Sequence, residues 1–281
     1  MSAYVLKLQC PDQVGIVAKV SALIAEYQGW IVDASQFADE KSQLFFMRVE
    51  IRKASVVHLN AFKHALTALA KALQMTWSLI DMSQQKRTVI FAGKQYHCLS
   101  DLLSRYISHD LDMNLVAVIS NHPQHKVLVE AHGVAFHYVS FDEGDNAAFK
   151  QIENILDPLQ PDLMILARFM RILPSEWCER YYGRIINIHH SFLPAFTGHN
   201  PYERALDAGV KMIGATCHYV TPDLDQGPII EQDVIRIHHY HTLSQIKQLS
   251  HDIEKITLAK GVRYHLEERT MIDQNKTLVF D

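Results

Sequence analysis

The chain has 281 residues, 48% hydrophobic and 21% charged, the balance expected of a folded globular protein of two domains or one large one. A formal net charge of -4, with no run of Lys and Arg to track a phosphate backbone, argues against a nucleic-acid partner. The apolar runs are too short to span a membrane, and "MSAYVLKLQC" lacks the pattern of a signal peptide.

Cys10, Cys98, Cys178 and Cys217 are far apart and form no CxxC, which reads as reduced thiols of a cytoplasmic protein. The 17 His contain no HxxxH or HExxH, so no metal ligands are assigned.

Along the chain, "YVLKLQ" (4–9) predicts a strand and "CPDQVG" a turn ending at Gly15. Ile16, Val17, Val20, Leu23 and Ile24 then recur at helical spacing up to Gly29. "WIVDASQF" and "LFFMRVEI" predict two more strands, the second with Phe45, Met47 and Val49 on one face. A helix over 56–73 with Leu59, Phe62, Leu66 and Leu69 on its apolar stripe precedes a fourth strand, "MTWSLID". The order βαββαβ is the ferredoxin-like unit, here placed at residues 1–81.

"MSQQKR" (82–87) carries no pattern and is read as a linker. Residues 88–281 change texture. "TVIFAG", "LVAVIS", "AFHYVS", "DLMILA" and "RIINIH" are short runs with helical stretches between most of them. That alternation predicts a doubly wound, mainly parallel sheet. A helix from Thr242 carries Ile246, Leu249, Ile253 and Ile256, and "TMIDQNKTLVF" predicts a terminal hairpin.

Chemistry concentrates at "INIHHSFLPAF" (186–196), where polar groups crowd the end of a buried strand. In such sheets ligands collect beyond the carboxyl ends of the strands. Alternation turns Asn187 and His189 to the same side. Two readings stand at this point: polar turn residues, or half of an active site. The second half would lie in "ATCHYVTPDLDQGPII" (215–230), where a loop either forms a solvated turn or returns Asp225 to the sheet beside His189. An amide donor, an imidazole and a carboxylate would together suit attack on a carbonyl whose oxygen gains charge. Ser191 has no relay and Cys217 lies inside an apolar strand, so direct attack by water or an amine is expected rather than an acyl-enzyme.

"NIHHSFLPAFTG" (187–198), followed by "DLDQGPII" (223–230), resembles the signature of the folate-dependent formyltransferase family. The resemblance implies Asn187, His189 and Asp225 as catalytic groups. It extends through "LARFMRILP" (166–174), which implies a folate pocket at Met170, Arg171, Ile172 and Leu173, with Val220, Thr221 and Asp223 as further substrate-binding positions and His190 beside the water. Residues 1–81 resemble the ligand-binding ACT domains, implying an amino-acid effector near Asp12, Gly15 and Asp33 and a homo-oligomer, a dimer or tetramer.

Both halves together are most similar to the formyltetrahydrofolate deformylase group, which covers nearly the whole chain. The implied reaction is hydrolysis of 10-formyltetrahydrofolate to tetrahydrofolate and formate, with no permanently bound cofactor. The loop "AGKQYHCLSD" departs from the small-residue loop that holds a phosphate in glycinamide-ribonucleotide formyltransferases, and no tRNA-binding barrel follows the hairpin. Transfer to a small amine, and a folate or amino-acid sensor without turnover, are the alternative readings.

Overall fold

A computed structural model describes residues 2–194 and 201–281. The chain divides into two compact units: Met1–Gln85 with Glu267–Met271 and Val279–Asp281, and Lys86–Leu266 with Ile272–Leu278. This division differs from an uninterrupted 88–281 domain after an 82–87 linker. In the first unit Lys7 donates to the Thr270 carbonyl at 3.1 Å, and Arg48 donates to the carbonyls of Glu267 and Glu268, each at 3.2 Å. These bonds tie part of the tail to the amino-terminal sheet.

The first unit contains β1 (Ala3–Pro11), α1 (Ile16–Glu26), β2 (Ile31–Asp39), β3 (Leu44–Arg52), α2 (Leu59–Leu73) and β4 (Thr76–Asp81). The strands pair antiparallel in the order β2-β3-β1-β4, the expected ferredoxin-like arrangement. Leu6, Leu8, Val20, Ile24, Met47 and Phe62 are among the residues packed between sheet and helices. The second helix begins at Leu59 rather than Val56. A short 3-10 turn occupies Lys53–Ser55, and His58 has a left-handed backbone (φ 57), so helical backbone angles begin only after it, and its carbonyl accepts the first helical bond, from the Phe62 N–H at 3.0 Å.

The second unit holds β5 (Arg87–Ala92), α3 (His97–Ile107), β6 (Asn114–Ser120), α4 (Lys126–Ala131), β7 (Ala135–Tyr138), α5 (Asp145–Leu159), β8 (Leu163–Ala167) and α6 (Ser175–Arg180). It continues with β9 (Ile185–His189), α7 (Pro201–Asp207), β10 (Met212–Tyr219), β11 (Ile229–Arg236) and α8 (Leu243–Leu266). Its sheet order is β11-β10-β9-β8-β5-β6-β7. Strands β5 to β9 pair in parallel, and β10 runs antiparallel to both its neighbours.

The chain passes from β5 outward to β7, then returns to β8 on the other side of β5. Ligand crevices open at such a reversal, beyond the carboxyl ends of the strands. Every residue of β8 is buried, as expected for a strand covered on both faces. The hairpin of β12 (Thr270–Asp273) and β13 (Lys276–Val279) forms as expected.

Candidate active site

Strand β9 ends on His189, and Asn187 lies one pleat before it. Across the antiparallel pairing Asn187 stands opposite His218, and His189 opposite Thr216. The register therefore brings Asn187 Nδ2 within 3.2 Å of His218 Nε2. His218 donates from Nδ1 to the carbonyl of Tyr219 at 2.8 Å. Burial lowers the pKa of His218, which favours the neutral ring. In that tautomer Nε2 is an acceptor, takes one Asn187 N–H, and leaves the other free to donate.

Asp225 reaches the site on the loop between β10 and β11, with a left-handed backbone at φ 56. That loop passes so close to β10 that a Cβ on Gly227 would lie 1.7 Å from the Tyr219 carbonyl oxygen. Only glycine permits this approach. The loop carries Asp225 Oδ1 to 3.3 Å from His189 Nδ1 and 3.8 Å from His218 Nε2. Burial would raise the Asp225 carboxyl, but the hydrogen bond from His189 and the surrounding imidazoles outweigh it and hold the group below its ordinary value. The carboxylate fixes His189 with Nδ1–H towards Asp225. His189 Nε2 is buried and has no hydrogen-bond partner in the protein, the position of a donor kept for a reacting oxygen.

These groups line a pocket of about 380 Å³. Arg168 and Met170 both have positive φ, and Gly93 leaves room for the Arg168 carbonyl, which would stand 1.9 Å from a Cβ there. Phe169 turns inward against Phe91 and Phe141, while Met170 and Ile172 stay exposed. Of the positions expected to bind substrate, Met170, Arg171, Ile172, Leu173, Val220 and Thr221 line the pocket, together with His190. Asp223 is exposed and outside that lining, because its carbonyl closes the turn by accepting from Thr221 Oγ1 and the Gln226 N–H. Arg171 lies over the Phe141 ring at 4.4 Å. Of the motif's last residues, Ala195, Phe196, Thr197 and Gly198 lie outside the described residues. Cys217 is fully buried, and burial pushes its thiol well up, away from the nucleophilic thiolate.

In the first unit Gly15 caps α1 with φ 90, Asp12 is exposed, and Asp33 Oδ2 faces Arg48 at 3.4 Å.

Sequence reasoning missed His218, and it missed a buried polar cluster behind the pocket. Glu254 of α8 accepts from Tyr202 Oη at 2.8 Å and Ser250 Oγ at 2.9 Å, with His97 Nε2 at 2.8 Å and Arg168 Nε at 3.5 Å. Ligand atoms of His97, Cys98 and Glu254 lie within 4.8 Å of one another. The Glu254 oxygens are already engaged by those donors, so the cluster reads as an ion-pair network rather than a metal centre.

A formyl transferase family profile matches residues 86–262. The chain is 42% identical to the formyltetrahydrofolate deformylase of Bacillus subtilis over 98% of its own length and 93% of that protein's. The chain belongs to the formyltetrahydrofolate deformylase family. A crystal structure of the deformylase of Pseudomonas syringae superposes with a TM-score of 0.97 at 46% identity, covering 100% of this chain and 95% of that one. Glycinamide ribonucleotide transformylase 1 of Symbiobacterium toebii superposes with a TM-score of 0.67 at 25% identity, over 73% of this chain and 98% of its own. The superposition on the Pseudomonas syringae deformylase covers residues of both units.

Proposed function

We propose that this enzyme hydrolyses 10-formyltetrahydrofolate to tetrahydrofolate and formate, so that it supplies formate and balances one-carbon pools for purine biosynthesis. The observation that carries this reading is the convergence of Asn187, His189 and Asp225 on one pocket, in a chain whose deformylase relatives match it from end to end. The free N–H of Asn187 and the Nε2–H of His189 donate to the formyl oxygen as it becomes an oxyanion. Loss of one such donor costs about 3–4 kcal/mol of barrier. Asp225 holds the imidazolium and takes a proton from the attacking water. The exposed Met170 and Ile172, with Leu173 and Val220, give the flat ring system an apolar slot.

Water rather than a phosphorylated amine as acceptor is supported by the loop after β5. His97 is turned inward onto Glu254 there, instead of opening a cradle of small residues.

Residues 1–81 are read as an ACT-type regulatory unit. Asp33, half-exposed on β2, offers a carboxylate to the ammonium group of an amino-acid effector, whereas the loop of Asp12 and Gly15 leaves β1 at the opposite end of the sheet. Strand β2 is an edge strand with Val32 and Phe37 exposed, a template for pairing with a second copy. That edge supports a homo-oligomer, a dimer or tetramer. No described helix is long and apolar enough to cross a membrane. Four free, buried thiols support a reducing, cytoplasmic location.

The deciding experiment supplies 10-formyltetrahydrofolate and no amine. Formate and tetrahydrofolate should appear one for one. Formate release only when an amine is present would favour transfer, and folate binding without turnover would favour a sensor.

A further inference from the structure

His190 follows the proposed oxyanion donor directly and lines the same pocket as Asn187, His189 and Asp225. Its ring centroid is 5.2 Å from that of His189 and 5.5 Å from that of Tyr202. Neither of its ring nitrogens is among the hydrogen bonds of the described residues, which leaves a donor and an acceptor available to a ligand of the pocket it lines. Arg168 is 6% exposed and held by Gln95 Oε1 at 3.0 Å and Glu254 Oε2 at 3.5 Å. Glu254 has none of its surface exposed. A buried Arg–Glu pair is expensive to desolvate and contributes little to net stability, so its place beside the pocket calls for a function.

We propose that His190, backed by the Arg168–Glu254 pair, is the positioning residue that orients the attacking water, an inference that rests on the hydrolase reading above. The acceptor nitrogen of the neutral ring takes a hydrogen bond from one water proton and turns the oxygen lone pair towards the formyl carbon. A C–O bond forms, and the carbonyl π pair moves onto the formyl oxygen under Asn187 and His189. The second water proton passes to Asp225. Collapse of the intermediate breaks the C–N bond, and the folate nitrogen takes the proton back from Asp225. The products are tetrahydrofolate and formic acid, which ionises to formate.

This role needs an unprotonated ring, because imidazolium has no acceptor. The charged and titratable groups around His190 are Arg168 at the end of β8, Glu254 on α8, His189 on β9 and Asp225 on its loop, with the Tyr202 ring from α7. Burial, then the Arg168 cation, push His190 down to about 3, against the opposing pull of Glu254 and Asp225. Wild-type His190 is therefore neutral at any working pH. Without Arg168 the pull of Glu254 is less opposed and protonation moves up from about 3, while burial still holds it below the ordinary value.

The test uses the full chain and the pH profile of kcat/KM for formate release. Arg168→Gln should gain an acid limb at higher pH than any limb of the wild type, as the His190 value rises from about 3. Arg168→Lys should lack that limb, and so should the double variant Arg168→Gln/His190→Gln. His190→Gln alone should lower kcat about 100-fold with KM little changed, the expected loss when a reacting group is misplaced. A nitrogen NMR titration of the wild type, with the His190 signals identified by their loss in His190→Gln, should show an unprotonated ring throughout.

Should Arg168→Gln fail to fold, kcat of His190→Gln and the NMR titration decide. Wild-type kcat in His190→Gln, or a protonated His190 near neutral pH, overturns the proposal while leaving the hydrolase reading intact. Absence of formate release by the wild type itself sinks the hydrolase reading first.

Discussion

At the scale of single residues, Glu254 carries a negative charge with no exposed surface. Burial pushes its carboxyl up. The hydrogen bond from His97 and the charge of Arg168 more than offset this, holding it at about 2 against an ordinary 4.5. Its stabilising contribution is therefore complete above the unfolded value and is lost as pH falls from 4.5 towards about 2. Removing the charge leaves Arg168 buried without its partner. Glu254→Gln should cost about 3–5 kcal/mol in urea unfolding at neutral pH, and its stability should vary less across that acid window. Wild-type stability in this variant would show that the network is not held by charge. His218 acts on the same scale. Replacement by Phe frees the Asn187 amide to rotate and should lower kcat about 10- to 100-fold with little effect on KM; unchanged kcat would deny it an orienting role.

At the scale of elements, the site depends on one loop passing close to one strand. Gly227→Ala places a methyl group where the Tyr219 carbonyl oxygen stands, 1.7 Å away. The loop must move, and Asp225 moves with it. Formate release should fall about 100-fold, while thermal unfolding shifts by only a few degrees. Full turnover would mean that the close approach does not set the position of Asp225.

The facing of Asn187 and His189 was legible from strand alternation alone, and the sheet from its short buried runs. His218 was not, because its role comes from the register between β9 and β10 and register is absent from a single strand's sequence. Glu254 did leave a signal. It falls in the row Ile246, Ser250, Glu254, Leu258, all buried and four residues apart. An acid in the apolar stripe of a helix needs a buried partner, and no local pattern named Arg168 as that partner. The exposed place of Asp223 also escaped the sequence reading. Two aspartates two residues apart look equivalent until the left-handed backbone at Asp225 turns one of them inward.

At the scale of the whole molecule, the carboxyl-terminal segments grouped with the first unit mean that this unit is not a detachable amino-terminal piece. Regulation is best tested on the intact chain. Light scattering should give a mass above that of one chain, 32.2 kDa. Val32→Lys should lower that mass by placing charge on the β2 edge. Glycine or methionine should alter formate release, and Asp33→Asn should abolish that response. A monomer indifferent to both amino acids would remove the regulatory reading and leave the catalytic one standing.

The central claim is that the reaction is hydrolysis directed by the Asp225-held His189. Its most direct test measures formate release and folate binding side by side in the wild type and in Asp225→Asn, without any amine. The wild type should release one formate per tetrahydrofolate. The variant, which keeps the shape but loses the charge, should bind folate normally and turn over about 1,000-fold more slowly or worse. Formate release by Asp225→Asn at the wild-type rate would contradict the account.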